Sequence, residues 1–99
     1  MFENISRVFK KFRTTKQIDD RSSMERLGRD EYKYIEGDHA LTVQVEMLSG
    51  SPSRLIYEET IKKWLPPHDH ETIDEAKRKE ILKKVCRYFD INGISYIVQ

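Results

Sequence analysis

Residues 40–48, with the sequence ALTVQVEML, carry the clearest structural signal in the chain. Leu41, Val43 and Val45 alternate with polar residues, and a β-strand places successive side chains on opposite faces. One face of this strand is therefore predicted to be buried, and the other is predicted to meet solvent. Such alternation is typical of an antiparallel sheet that has one wet side.

Shorter strands are predicted on both sides of this segment. Residues 31–36 are rich in Tyr and Ile, and residues 54–57 form a third apolar stretch. Gly37 provides the first turn, because glycine readily adopts a positive φ. A last strand is predicted over residues 94–98.

A long helix is predicted between the third and fourth strands, beginning near Thr72 and reaching Phe89. Thr72 and Glu75 have the spacing of a capping box, with a hydroxyl at the N-cap and a carboxylate three residues later. Gly93 is a suitable C-terminal stop. The apolar stripe of this helix comprises Ile81, Leu82, Val85, Cys86 and Phe89.

The first thirty residues are predicted to elaborate the core. Residues 14–30 are interpreted as a linker with at most one helical turn, capped by Ser23 and ended by Gly28. Before it, apolar side chains at helical spacing predict an amphipathic helix that packs on the sheet. A membrane surface or an anionic partner is the alternative for that helix. These apolar residues are Phe2, Ile5, Val8, Phe9 and Phe12.

The predicted fold class is α+β, with residues 1–99 forming a single domain and residues 31–99 its core. We expect a small, mainly antiparallel sheet of about four strands. The N-terminal helix and the long C-terminal helix would pack on one face of it. No apolar run approaches the roughly 20 residues that span a bilayer. The N-terminus lacks the features of a signal peptide, and one cysteine excludes an internal disulfide framework, so an intracellular protein is expected.

The net charge of +1 hides a strong internal asymmetry. Residues 1–29 hold eight basic and four acidic side chains, and residues 77–99 hold six basic and two acidic ones. Residues 30–76 hold four basic and eleven acidic side chains, a net charge of −7. A single-sign segment of this kind predicts an oppositely charged partner or a contribution to solubility.

No constellation in the sequence predicts catalysis. His68-Asp69-His70 would need His39 and Glu71 to complete a metal site, and a solvated loop is the favoured interpretation. Cys86 lies on the apolar stripe, which favours a small buried hydrophobe over a nucleophile. There is no nucleophile elbow and no glycine-rich phosphate loop. We therefore predict that the chain is not an enzyme and has no catalytic residue, cofactor or metal.

The acidic middle supplies the candidate binding residues. They lie on predicted turns, on a loop and on a polar strand face, where they would attract a basic protein. Solubility and protection of sheet edges are the alternative. Trp64, in the same region, is favoured as a core residue over an interface anchor. The seven candidates are Glu36, Asp38, Glu46, Glu58, Glu59, Asp69 and Glu71.

The basic helix face formed by residues 77–87 is the alternative site, for a small nucleic-acid-binding or regulatory module. The acidic middle of the chain would repel a phosphate backbone. Charged residues on a helix usually form its solvated face. No direct nucleic-acid partner is therefore expected.

Several motifs within residues 34–99 together resemble a known family. They are Tyr34-Ile35-Glu36-Gly37, the alternating strand, Ile61-x-x-Trp64-x-Pro66-Pro67 and the closing Gly93-Ile94 strand. The chain is similar in these motifs to small immunity proteins of bacterial polymorphic-toxin and contact-dependent growth-inhibition systems. Residues 1–30 lie outside the resemblance.

The resemblance implies a cytoplasmic, non-enzymatic inhibitor. Its partner would be a cognate toxin C-terminal domain, expected to be a nuclease with a basic cleft. The acidic surface would then compete with phosphates for that cleft.

Overall fold

The computed structural model describes residues 15–99, which form one curled sheet of six strands and one long helix. A short 3-10 turn, Glu58–Thr60, follows the fifth strand. The strands are β1 (Thr15–Gln17), β2 (Ser22–Arg26), β3 (Glu31–Glu36), β4 (His39–Met47), β5 (Arg54–Ile56) and β6 (Tyr96–Val98). The helix is α1 (Glu75–Ile91).

The strands lie in the sheet in the order of the sequence, from β1 to β6. Each pair is antiparallel except β5 and β6, which are parallel. A parallel neighbour requires a crossover connection, and α1 lies within that connection. The α+β class is confirmed, whereas the predicted number of about four strands in a mainly antiparallel sheet is wrong: the sheet has six strands and includes one parallel pair.

The core lies between one face of the sheet and one face of α1. Tyr32 on β3 meets two aromatic rings of the helix edge-on, Tyr88 at 5.9 Å and Phe89 at 5.4 Å between centroids. Edge-to-face packing is favourable because a ring edge is positive and a ring face is negative. Leu41, Val43 and Val45 are fully buried, as their alternation predicts.

The linker predicted over residues 14–30 is wrong, because residues 15–17 and 22–26 are strands. Asp19 stabilises the turn between them by accepting hydrogen bonds from the backbone N–H groups of Arg21 (2.9 Å) and Ser22 (2.8 Å). Met24 is a fully buried strand residue and not part of a helical turn. The sequence did not predict β2, because only one of its five side chains is apolar and no alternating pattern results. The predicted N-terminal helix lies outside the described residues.

Asp74, not Thr72, is the N-cap of α1. Its side-chain oxygen accepts a hydrogen bond from the Lys77 backbone N–H at 2.8 Å, so the predicted capping box is wrong. The helix ends at Ile91, and Gly93 follows with a φ of 66°. The stop at Gly93 is as predicted, since the left-handed conformation there favours glycine.

Residues 61–73 cross one end of the sheet as a loop. The loop follows the 3-10 turn Glu58–Thr60. Trp64 is 5% exposed and belongs to the core, as favoured from the sequence. The Leu65 backbone N–H donates to the Ala40 carbonyl at 2.7 Å and joins the loop to β4.

None of the helices between residues 15 and 99 combines the length and the apolar character that crossing a membrane requires.

Candidate functional site

Two histidines, distant in sequence, stack where the loop of residues 61–73 meets the β3–β4 hairpin. The ring centroids of His39 and His68 are 3.7 Å apart, with the rings 16° from parallel. Trp64 meets His39 edge-on at 5.0 Å. The hairpin turn depends on Gly37, whose φ is 60°. The hairpin and the buried Trp64 therefore hold the two imidazoles in place.

Carboxylates flank the stacked rings on both sides. Asp38 lies 2.8 Å from His39 Nδ1 and 3.6 Å from His68 Nε2. Glu71 contacts the other two ring nitrogens, His39 Nε2 at 2.8 Å and His68 Nδ1 at 2.9 Å. We call these four residues, Asp38, His39, His68 and Glu71, the histidine–carboxylate cluster.

The carboxylates shift the proton affinities within the cluster. The hydrogen bond with Glu71 raises the pKa of His39, and the contact with Asp38 adds to this effect against partial burial. The same bond from His39, together with His68, lowers the pKa of Glu71. The hydrogen bond from His39 also lowers the pKa of Asp38. Ionised carboxylates and protonated imidazole therefore stabilise one another here.

The composition of this cluster differs from that of the histidine motif in the sequence. Both Asp69 and His70 are exposed, and His39 rather than His70 lies beside His68. The grouping depends on a contact between residues up to 32 positions apart. Sequence reasoning groups His39, His68 and Glu71, and the structure brings these three together with Asp38 in place of Asp69 and His70.

A polar network lies between the sheet and α1. Glu36 accepts hydrogen bonds from Lys77 Nζ and from the Tyr34 hydroxyl, both at 2.6 Å. Lys84 Nζ donates to the buried Ser22 hydroxyl at 3.1 Å, and the Tyr34 hydroxyl lies 3.4 Å from the same oxygen. The network therefore joins β2, β3 and α1.

Glu36 is ionised because of its partners and in spite of burial. Burial alone would raise the pKa of Glu36, but hydrogen bonds from Lys77 and Tyr34 outweigh it and lower the pKa. Burial and the bond to Glu36 raise the pKa of Tyr34, which stays a neutral donor. Burial would lower the pKa of Lys77, but Glu36 outweighs it and raises that pKa.

Glu58 and Glu59 line an open cleft of about 600 Å³ between the 3-10 turn and α1. Glu58 Oε2 lies 2.7 Å from Lys79 Nζ and 3.5 Å from Arg78 Nε. The ion pair with Lys79 lowers the pKa of Glu58 against partial burial. Glu59 is exposed at the rim. The cleft is therefore lined by charges of both signs.

The seven acidic candidates form two groups rather than one patch. The hairpin group comprises Glu36, Asp38, Asp69 and Glu71, and the far group comprises Glu46, Glu58 and Glu59. Glu46 lies seven residues along β4 from His39, about 23 Å at the usual strand rise. It accepts a hydrogen bond from the Tyr57 hydroxyl at 2.5 Å.

Most of these carboxylates already have partners within the chain. Among residues 15–99, only Glu59 and Asp69 of the seven make no hydrogen bond or ion pair through their side chains. Asp38 is 81% exposed although it contacts the histidines, whereas the Glu36 side chain is 18% exposed. Among the seven candidates, Glu59 and Asp69 are therefore the exposed carboxylates without a partner in the described part of the chain, and Asp38 is the most exposed of those that have one.

The basic helix face of residues 77–87 is largely neutralised by neighbouring carboxylates. Lys77 and Lys84 both contact Glu36 and Glu80. Arg78 and Lys79 contact Glu58. These contacts lower the positive potential that a phosphate backbone would require.

Cys86 is partly buried against the core and lines a surface cleft together with Tyr96. Burial raises the pKa of its thiol, which disfavours the reactive thiolate.

Comparison with known proteins identifies one family. The model of the family described as immunity protein 74 (Imm74) matches residues 26–99. No curated protein and no solved structure shows significant similarity to the chain.

Proposed function

Because the chain belongs to the immunity protein 74 family, we propose that it binds the C-terminal domain of a cognate toxin and neutralises it. The observation that supports this proposal is the extent of the match, from the last residue of β2 to the C-terminus. The matched segment contains the histidine–carboxylate cluster and all seven acidic candidates. The chain would act in the cytoplasm by binding, without catalysis, in a contact-dependent growth-inhibition or related polymorphic-toxin system.

We propose that the toxin is a nuclease and that its basic cleft meets the acidic side chains. Complementary charge steers association and favours one partner over others. A standard interface covers roughly 800 Å² on each protein, which corresponds to a patch about 30 Å across. The distance along β4 between the two groups, about 23 Å, is within that width. Residues seven apart on a strand point to opposite faces, so the toxin need not contact both groups at once.

Asp69 and Glu59, one in each acidic group, provide the sharpest test of the electrostatic contribution. Neither has an ion pair with another described residue, so reversing both charges leaves the internal contacts intact. We expect Glu59→Lys with Asp69→Lys to slow association with the toxin about tenfold at low salt. Stopped-flow or surface-plasmon measurements of the association rate at several salt concentrations would report this change.

The matched control is Asp20→Lys with Glu31→Lys, which alters net charge equally at exposed positions outside the seven candidates. Equal association rates for the two double variants would contradict a role for the acidic groups. Reversal at Glu58 is less informative, because it also breaks the contacts with Lys79 and Arg78.

The inhibitory function itself is tested by co-expression. The partner to test is the C-terminal domain of any large secreted protein whose gene is found directly upstream, and growth rescue and co-purification are scored together. Rescue with a stable complex is the expected result. Failure of the unaltered chain to protect cells or to bind that domain would reject the proposed function.

A further inference from the structure

The histidine–carboxylate cluster brings donor atoms suited to a metal ion into a small volume. Asp38, His39 and His68 each place one ligand atom within 4.8 Å of the others. Two imidazole nitrogens and a carboxylate oxygen form a ligand set typical of zinc and similar transition metals. Magnesium and calcium prefer six or more oxygen ligands, which this set does not offer.

Glu71 contributes the feature that separates this cluster from a chance grouping of charged residues. It contacts His39 Nε2 at 2.8 Å and His68 Nδ1 at 2.9 Å, the same edge of both stacked rings. With those nitrogens donating to Glu71, His39 Nδ1 and His68 Nε2 both face Asp38, and a metal ion would replace the proton that His39 and Asp38 share at 2.8 Å. Metal-bound histidines usually donate their second N–H to a carboxylate in this way, which fixes tautomer and ring orientation.

The exposure of the four side chains would allow an ion to reach the cluster from solvent. Asp38 and Glu71 are 81% and 42% exposed, while His39 and His68 are 25% and 19% exposed. Trp64 packs against the edge of His39 and restricts its rotation. The Asp38 side of the cluster is therefore open, and the opposite side is held by Glu71 and Trp64.

We propose that this cluster is a site for a divalent transition-metal ion such as zinc. Asp38, His39 and His68 are the ligands, and Glu71 is the positioning residue. The ion binds between Asp38 and the ring nitrogens that face it, after the stacked rings tilt so that both nitrogens aim at one point and the 2.8 Å contact between His39 and Asp38 opens. It joins the β3–β4 hairpin to the loop of residues 61–73. Metal binding therefore stabilises the folded chain.

The test uses the full chain without an affinity tag, stripped of metal by a chelator. Calorimetry with zinc measures stoichiometry and affinity, and the visible absorption of cobalt reports a coordinated ion. We expect one ion per chain and a melting temperature that rises with zinc but not with magnesium. The measurement needs no toxin, so its outcome is independent of the proposed inhibitory function.

Three variants of cluster residues and one control variant show where the ion binds. Asp38→Asn and His68→Gln are expected to lower zinc affinity at least about tenfold, and Glu71→Gln about 10- to 100-fold. His70→Gln changes an exposed histidine of the same loop that is outside the cluster, and it should leave affinity within about twofold. Circular dichroism shows whether each variant folds. If His68→Gln does not fold, the zinc affinity of Asp38→Asn, which changes an exposed side chain, provides the test.

Two results would overturn the metal site. One is the absence of a 1:1 zinc complex at about 1 mM metal, where even weak coordination would register. The other is zinc binding that Asp38→Asn and His68→Gln leave unchanged, which would place the ion elsewhere on the chain.

Discussion

The Tyr34 hydroxyl connects the apolar core to the polar network between the sheet and α1. The residue is fully buried, yet its hydroxyl donates to Glu36 at 2.6 Å. A buried donor is stable only when it has an acceptor, and an ionised acceptor strengthens the bond. Tyr34 therefore serves both packing and electrostatics.

We expect Tyr34→Phe to lower the free energy of unfolding by about 1–2 kcal/mol, because it removes a hydrogen bond to a charged group. Urea denaturation at neutral pH measures this change. Tyr32→Phe is the control, since Tyr32 lies two residues away on β3, is 2% exposed and donates no hydrogen bond described within residues 15–99. Equal losses in both variants would contradict the role of the Tyr34 hydroxyl.

At the same scale, sequence reasoning identified Trp64 as core and the acidic residues as polar positions. It did not identify which carboxylates form ion pairs within the chain. Glu36 and Glu58 are occupied by lysines of α1, whereas Glu59 is exposed at the cleft rim. Composition cannot separate these cases, because pairing depends on the position of the helix relative to the strands.

At the scale of the element, α1 shows how one residue sets a helix boundary. Thr72 and Asp74 are both suitable caps by type, and both precede the apolar stripe. The chain uses Asp74, because residue 72 forms an isolated bridge with Lys63 in the preceding loop. A tertiary contact therefore shifts the helix start by two residues from the predicted cap.

Replacement of the observed cap tests this boundary. We expect Asp74→Ala to destabilise the fold by about 1 kcal/mol, because the Lys77 backbone N–H loses its acceptor. Thr72→Ala should cost less than about 0.5 kcal/mol. Thermal or urea denaturation of both variants would decide between the two caps, and a larger loss for Thr72→Ala would contradict the assignment.

Strand β6 shows a second feature of an element that the sequence does not predict, namely its direction in the sheet. The apolar residues near the C-terminus predict a strand, and the chain forms one at Tyr96–Val98. Its parallel pairing with β5 is not visible in the residues themselves. Direction follows from the route of the chain through α1, since the crossover returns the chain with the same polarity.

At the scale of the whole molecule, residues before position 30 complete the sheet. Ile18 and Met24 enter the same core as Phe89 and Val85 of α1. Strand β2 pairs with β3 over five residues, so this part of the chain is structural. Assignment of the entire chain to one domain remains a prediction.

Met24→Ala tests the contribution of β2 to the core. Its fully buried side chain predicts a loss of about 2–5 kcal/mol, whereas a linker residue would cost almost nothing. Leu27→Ala is the control, because Leu27 is 45% exposed just beyond β2 and should cost about 0.5 kcal/mol. If Met24→Ala lowers the free energy of unfolding no more than Leu27→Ala does, the contribution of β2 to the core is contradicted.

The charge asymmetry of the sequence also has its explanation at this scale. The acidic middle and the basic helix are opposite in sign, and the fold places lysines of α1 against Glu36 and Glu58. Part of the acidic segment therefore stabilises the fold. Asp38, Glu59 and Asp69 are exposed members of the seven candidates, and their charge is available to a partner.

The sequence by itself determined the strands at residues 31–36 and 40–48, the helix and its stop, because these depend on periodicity between near neighbours. The tertiary structure decided the two N-terminal strands, the parallel edge strand, the pairing of the carboxylates and the histidine–carboxylate cluster. Each of these depends on contacts between residues far apart in the chain. Burial of Ser22 beside Tyr34 and Lys84 illustrates the reason, since a buried hydroxyl is acceptable only where distant partners satisfy it.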